Sequence, residues 1–156
     1  AEAAACPTLS RGVYTWDHVD AAATGPRVLS YSLGHNFIPP AIHAGGLRYH
    51  GCAPIVGMLR HEGLLDVVAL PQSEVFAAAR LMTRLHGYLP APEAAHAIKA
   101  TIDVALRCKE QRRKAVIVFC FSGHGLLDLS AYGEFNHNML EDSPPELSVL
   151  PVSTFA

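Results

Sequence analysis

Residues 115–121, AVIVFCF, are the most constraining feature of this chain. The run is continuously apolar and does not alternate. Before it stands a basic cluster, Lys109, Arg112, Arg113 and Lys114, which reads as a solvated helix end. After it stands the glycine-rich turn Ser122-Gly123-His124-Gly125. An unbroken apolar run bounded by charge and glycine predicts a strand covered on both faces, as in a parallel sheet with helices above and below. Such a strand needs neighbours on each side.

The rest of the chain supplies few of them. Residues 28–33 and 66–70 (DVVAL) read as two further short strands. Helices are expected over 54–61, with Pro54 in the first turn, and from a Ser73 cap to Arg84, ended by Gly87. A third runs from Pro92 to about Glu110, with Ala97, Ile98, Ile102, Ala105 and Leu106 as its apolar stripe. A last helix follows Gly125 and runs to about Phe135. The expected fold class is α/β: a partial parallel sheet with flanking helices. Residues 1–52 read as an irregular N-terminal segment and glycine-rich loop, 53–135 as the α/β core, and 136–156 as a proline-containing tail with Pro144, Pro145 and Pro151. Two or three strands make a thin sheet, so part of it is expected to come from another chain or a further segment.

Composition narrows the partners. Half of the residues are hydrophobic, 17% are charged, and the mean hydropathy is +0.20. This suits a buried-sheet core, or a domain that covers part of its surface with a partner. A net charge of −2 gives no footprint for nucleic acid. No stretch is long enough to span a bilayer. The start, AEAAACPTLSRG, lacks the basic and apolar regions of a signal peptide. It also lacks an initiator methionine, as expected of a processed chain or a piece of a longer one. Cys6, Cys52, Cys108 and Cys120 form no CxxC pair and read as free thiols in a reducing compartment.

Several chemistries compete for the FSGHG loop. A serine hydrolase elbow needs G-x-S-x-G, but Cys120 stands two before Ser122. A caspase-like peptidase would use His124 and a cysteine on a later strand, yet no cysteine follows Cys120. Ser122, His124 and Asp128 invite comparison with a triad, but side chains so close along a turn need not meet. The bland alternative is an ordinary β–α turn with glycines chosen for conformation. His43, His50 and Cys52 have no zinc spacing, and no metal is expected. His96 reads as a packed helix residue. Glu93, just after Pro92, reads on its own as a first-turn carboxylate favourable to the helix dipole.

Four segments together carry a broader signal: ACPTLSRG, SLGHNFIPPAIHAGGLRYHG, HGYLPAPEAAHAIKA and VFCFSGHGLLDLSAY. In this order they resemble the C-terminal portion of the type 2 tryptophan synthase beta chain, a pyridoxal-phosphate enzyme of fold type II. The resemblance spans roughly residues 5–132. It implies a cofactor-binding set of Ser122 for the pyridine nitrogen, Glu93 near the ring, and Gly45 and Gly46 on the cofactor face, with Gly123 in the same loop as Ser122. A neutral hydroxyl on the ring nitrogen favours β-elimination and replacement, as in making L-tryptophan from L-serine and indole. Residues 16–28 (WDHVDAAATGPRV) depart from the family pattern.

The family also holds its cofactor as a Schiff base on a lysine. Lys99, Lys109 and Lys114 are the three lysines here, and none has the family context. The glycine- and serine-rich phosphate cup is absent too; Gly45-Gly46 is too short to be one. No catalytic residue is therefore expected in this chain. Pyridoxal phosphate is implied by the resemblance but is not expected to be held by the chain alone. Two functions follow: part of a split or truncated enzyme, inactive until joined to the upstream part, or a non-catalytic structural subunit of a larger assembly. A third, an independent small-molecule-binding domain, lacks half a pocket. In each case the chain is expected in an oligomer or assembly, in the cytoplasm or, in a eukaryote, an organelle matrix.

Overall fold

A short parallel pair ties the start of the chain to its middle. In the computed structural model, which describes residues 1–142, strand β1 (Glu2–Ala3) pairs with β4 (Ala69–Leu70), Glu2 opposite Ala69 and Ala3 opposite Leu70. Helices flank this small parallel sheet: α3 (Gln72–His86), α4 (Pro92–Glu110) and α5 (Leu129–Asn136). The architecture is thus mixed helix and strand, consistent with part of a fold type II domain.

The N-terminal stretch is more regular than its breakers imply. After helix α1 (Thr8–Arg11), strand β2 (Val13–His18) pairs with β3 (Arg27–Ser32) as an antiparallel hairpin, from Val13 opposite Ser32 to His18 opposite Arg27. Residues 1–26 are therefore not irregular, and the strand expected over 28–33 pairs antiparallel with a chain-local partner. The turn chemistry explains the error. Asp20 accepts from Thr24 N, Thr24 Oγ1 and Gly25 N, closing a loop whose Gly25-Pro26 end looks like a breaker in sequence. Helix α2 (Pro54–His61) packs on the hairpin. Gly57 is buried there, and a Cβ on it would lie 2.3 Å from Ser30 Oγ and 3.2 Å from Ser30 Cα. Helix and strand approach too closely for any side chain at this position.

The main core joins the helices. Leu70, Val75, Phe76, Ala79, Ala95, Ala131 and Tyr132 form one buried cluster. Phe76 is its centre, edge-on to Tyr132 at 5.0 Å and tilted on Phe135 at 5.7 Å, arrangements that suit aromatic quadrupoles. Gly87 ends α3 with φ +76°, and its N–H bonds Thr83 O, a left-handed stop that glycine adopts without strain. Helix α3 begins one residue before Ser73, which donates to the Asp142 carboxylate instead of capping it. Helix α4 buries Ala94, Ala95, His96, Ile98 and Cys108, whereas Ala105 and Leu106 of the expected stripe lie exposed. Ala105 lies on the same face as Ile98 but two turns further along, where the described residues no longer cover the helix.

The largest difference lies at residues 115–121. They form no strand: among the described residues, 114–122 make no backbone–backbone hydrogen bond. Val116 is 95% exposed and Val118 89%. A two-sided strand requires neighbours, and β1 and β4 are two residues long and pair with each other. The expected prolines Pro144, Pro145 and Pro151 lie outside the described residues.

Candidate cofactor wall at the start of helix α4

Three segments meet at the N-terminus of α4. The sequence Pro90-Ala91-Pro92-Glu93 builds that end: Ala91 is extended at the cap position, Pro92 occupies the first turn, and Glu93 follows it. Glu93 does not cap its own helix. Its Oε1 accepts from Gly46 N at 2.8 Å, holding the short 3-10 turn Gly45–Leu47 against α4. A Cβ on Gly46 would lie 3.0 Å from Glu93 Cγ and 3.1 Å from Oε1. Gly45 differs, because a Cβ there meets nothing within 4 Å. Gly46 is glycine for contact inside the chain, while Gly45 leaves a bare backbone surface facing open space.

The SGHG loop docks on the same helix end from the other side. Ala91 N donates to Gly123 O (2.9 Å), and Gly125 N donates to Leu89 O (2.8 Å). A Cβ on Gly123 would stand 3.1 Å from Ala91 Cβ, and one on Gly125 would stand 2.4 Å from Pro90 O. Tyr132 Oη donates to that same Pro90 carbonyl at 2.6 Å, and burial pushes the Tyr132 hydroxyl pKa well up. Tyr132 and Gly125 therefore fix the loop, two residues that sequence reasoning missed. The second glycine of the SGHG turn was the available signal for Gly125; nothing local marks Tyr132.

The structure thus brings Gly46 and Glu93 into direct contact and joins Gly123 to them through Ala91. Ser122 precedes Gly123 on this loop and is exposed, with its hydroxyl in no hydrogen bond among the described residues. The triad is not assembled: His124 Nδ1 accepts from Leu126 N (3.3 Å), within its own turn.

Lys99 and Lys109 stand apart from this surface. Lys99 Nζ bonds Asp103 (2.7 Å) and Glu74 (2.9 Å), and these two carboxylates hold its ammonium pKa above the ordinary lysine value. It is a charged structural link rather than a free amine. Lys109 lies 16 residues beyond Glu93 on α4, about 24 Å along the axis. Among the described residues no group of histidine, cysteine and carboxylate side chains could hold a metal. His43 pairs with Glu134 (2.8 Å), His50 Nε2 bonds His18 O (2.8 Å), and Cys52 meets Ser30 Oγ (2.9 Å), three separate arrangements. No described helix is long and apolar enough to cross a membrane.

No protein-family model matches the chain. Curated relatives do. It is 53% identical over 141 residues to tryptophan synthase beta chain 2 of Aquifex aeolicus, covering 90% of this chain and 32% of that protein. The same-named proteins of Thermotoga maritima (53% over 131 residues; 84% and 31%) and Pyrococcus furiosus (48% over 152 residues; 97% and 34%) are similar in the same way. The chain spans about a third of the length of the curated relatives it matches.

Proposed function

The chain belongs to the tryptophan synthase beta-chain family and corresponds to its C-terminal portion, and on that premise we propose that it supplies one wall of a pyridoxal-phosphate pocket and works only with a polypeptide that supplies the rest. The observation that carries this reading is the coupling of the Gly45–Leu47 turn, Glu93 and the SGHG loop on one helix end.

The residues present fit part of such a group. Gly45 leaves a flat, unobstructed backbone against which a planar ring can lie. Ser122 would hold the ring nitrogen with a neutral hydroxyl, and Gly123 keeps the loop narrow behind it. Glu93 fixes the glycine turn through Gly46 N and keeps a carboxylate beside the ring face. The bound cofactor supplies an electron sink for β-replacement at an amino-acid substrate, in the family reaction L-serine with indole. Lys99, the lysine on the same helix as Glu93, is tied to Glu74 and Asp103 rather than free to hold that cofactor covalently.

The missing wall has a place to attach. Among the described residues, 115–121 leave their backbone groups unpaired, with Val116 and Val118 exposed. An exposed apolar edge of this kind is a template for strand addition. The same exposure also fits the alternative function, a non-catalytic subunit of a larger assembly. Co-expression with the upstream two thirds of the Aquifex aeolicus relative separates the two. The enzyme reading expects a stable complex that makes L-tryptophan from L-serine and indole, and that Ser122→Ala impairs. A stable complex with no turnover would leave the structural reading standing in its place.

A further inference from the structure

The glycine turn Gly45–Leu47 is held from behind as well as by Glu93. Two residues before Gly45, His43 is fixed at three points. Its Nε2 lies 2.8 Å from Glu134 Oε2 on α5, a contact that spans 91 residues of chain. Its backbone N–H donates to Gln72 Oε1 at the start of α3 (3.3 Å), and its ring stands edge-on to Phe76 at 6.4 Å. Ala44 joins His43 to the turn; it is 2% exposed, and its carbonyl accepts from Leu47 N at 2.9 Å. A shift of His43 is therefore passed on to the turn.

Helix α5 reaches the other half of the wall too. Tyr132 Oη donates to the Pro90 carbonyl, which the SGHG loop approaches at Gly125. Residues two apart on a helix do not share a face. Tyr132 thus reaches the loop through the core, while Glu134 reaches toward the glycine turn. One helix spans both halves of the wall. The His43 and Glu134 side chains are 37% and 41% exposed. A pair so exposed adds little to global stability, so its main effect is on where the turn sits.

We propose that His43 is a positioning residue for the cofactor wall: through Glu134 it sets the Gly45–Leu47 turn relative to the SGHG loop. This role rests on that wall being one side of a pyridoxal-phosphate pocket. A carboxylate only accepts, so His43 Nε2 is the donor whether the ring is neutral or charged. A side chain that keeps a donor at this place should therefore hold the turn as well, and an apolar one should not.

The test uses the full chain and ¹⁵N relaxation of its backbone amides. In His43→Leu the order parameters of Gly45 and Gly46 should fall from about 0.85 toward 0.6, with those of α4 unchanged. His43→Gln, which keeps a donor near the Nε2 position, should restore them. Glu134→Ala should reproduce the loss, and it decides the question should His43→Leu not fold. A lower urea midpoint with the order parameters at Gly45 and Gly46 unmoved overturns the proposal, because the contact would then be structural only. So does a loss that glutamine fails to restore, which would assign the effect to the ring on Phe76. A second arm titrates pyridoxal phosphate into the chain co-expressed with the upstream two thirds of the Aquifex aeolicus relative. His43→Leu should weaken binding about two- to fivefold, the range that a half-exposed pair supplies; an unchanged affinity overturns the proposal. No binding by the wild-type complex would sink the pocket reading instead, and the order parameters would still decide what holds the turn.

Discussion

Replacing Gly46 by alanine tests whether the glycine turn is held by Glu93 or merely lies near it. The added methyl would stand 3.0 Å from Glu93 Cγ and 3.1 Å from Oε1, tighter than ordinary contact. Gly46 has no left-handed backbone, so alanine is strained by this contact alone. The Glu93 side chain must yield by a few tenths of an ångström, which weakens the 2.8 Å bond from Gly46 N. That bond is exposed and the carboxylate is flexible, so the cost is about 1 kcal/mol, at the low end for overpacking plus a weakened hydrogen bond. For a chain of this size that lowers Tm by about 2–4 °C. The decisive measurement is a double-mutant cycle by urea unfolding with Glu93→Ala. Removing the side chain vacates the space, so Gly46→Ala should cost only a few tenths of a kcal/mol on that background. An equal loss on both backgrounds would refute the contact and, with it, the role of Glu93 in placing the turn.

Other outcomes follow from the same structure. The chain mixed alone with pyridoxal phosphate should show no visible cofactor band that responds to L-serine, and borohydride reduction should leave Lys99 unlabelled by mass spectrometry. Tyr132→Phe removes the donor to the buried Pro90 carbonyl and should cost about 1–2 kcal/mol in urea unfolding; a neutral effect would show that the SGHG loop does not depend on it. Burial acts to raise the Asp17 pKa, but hydrogen bonds from Ser32, His35 and the His18 N–H outweigh it and hold it below the ordinary 3.8. A lowered carboxyl pKa stabilises the fold above 3.8, and this contribution is lost as pH falls through the folded value. Asp17→Asn should therefore flatten the acid limb of the urea midpoint against pH; an unchanged limb would sink the assignment.

What the sequence could reveal depended on whether the determining contacts were local. Helices α2, α3 and α4 were legible because proline at the start, glycine at the end and 3.6-residue spacing act within a few residues. The β2–β3 hairpin was not, because its closure rests on Asp20 bonding Thr24 and Gly25 rather than on a standard two-residue turn. The site divides in the same way. Gly46 and Glu93 were named through a family resemblance, but their contact spans 47 residues and no periodicity foretells it. Tyr132 and Gly125, which seat the loop, stand 42 and 35 residues from the Pro90 carbonyl that each approaches.

Residues 115–121 are the sharpest case, because there the sequence and the structure disagree for a reason that bears on function. An all-apolar run encodes two covered faces. The described chain half-buries Ile117 and Phe119 on one side and leaves Val116 and Val118 exposed on the other, beside a loop that is otherwise firmly held at Gly123 and Gly125. Each buried valine-sized side chain stabilises by about 1.5–3 kcal/mol relative to exposure. A partner that paired with this segment would therefore recover several kcal/mol in addition to its backbone hydrogen bonds. Because the segment runs directly into Ser122, the same pairing would fix the hydroxyl proposed for the ring nitrogen. Assembly and completion of the pocket would then be one event, and a variant such as Val118→Asp should weaken both together while leaving the fold of residues 1–110 intact.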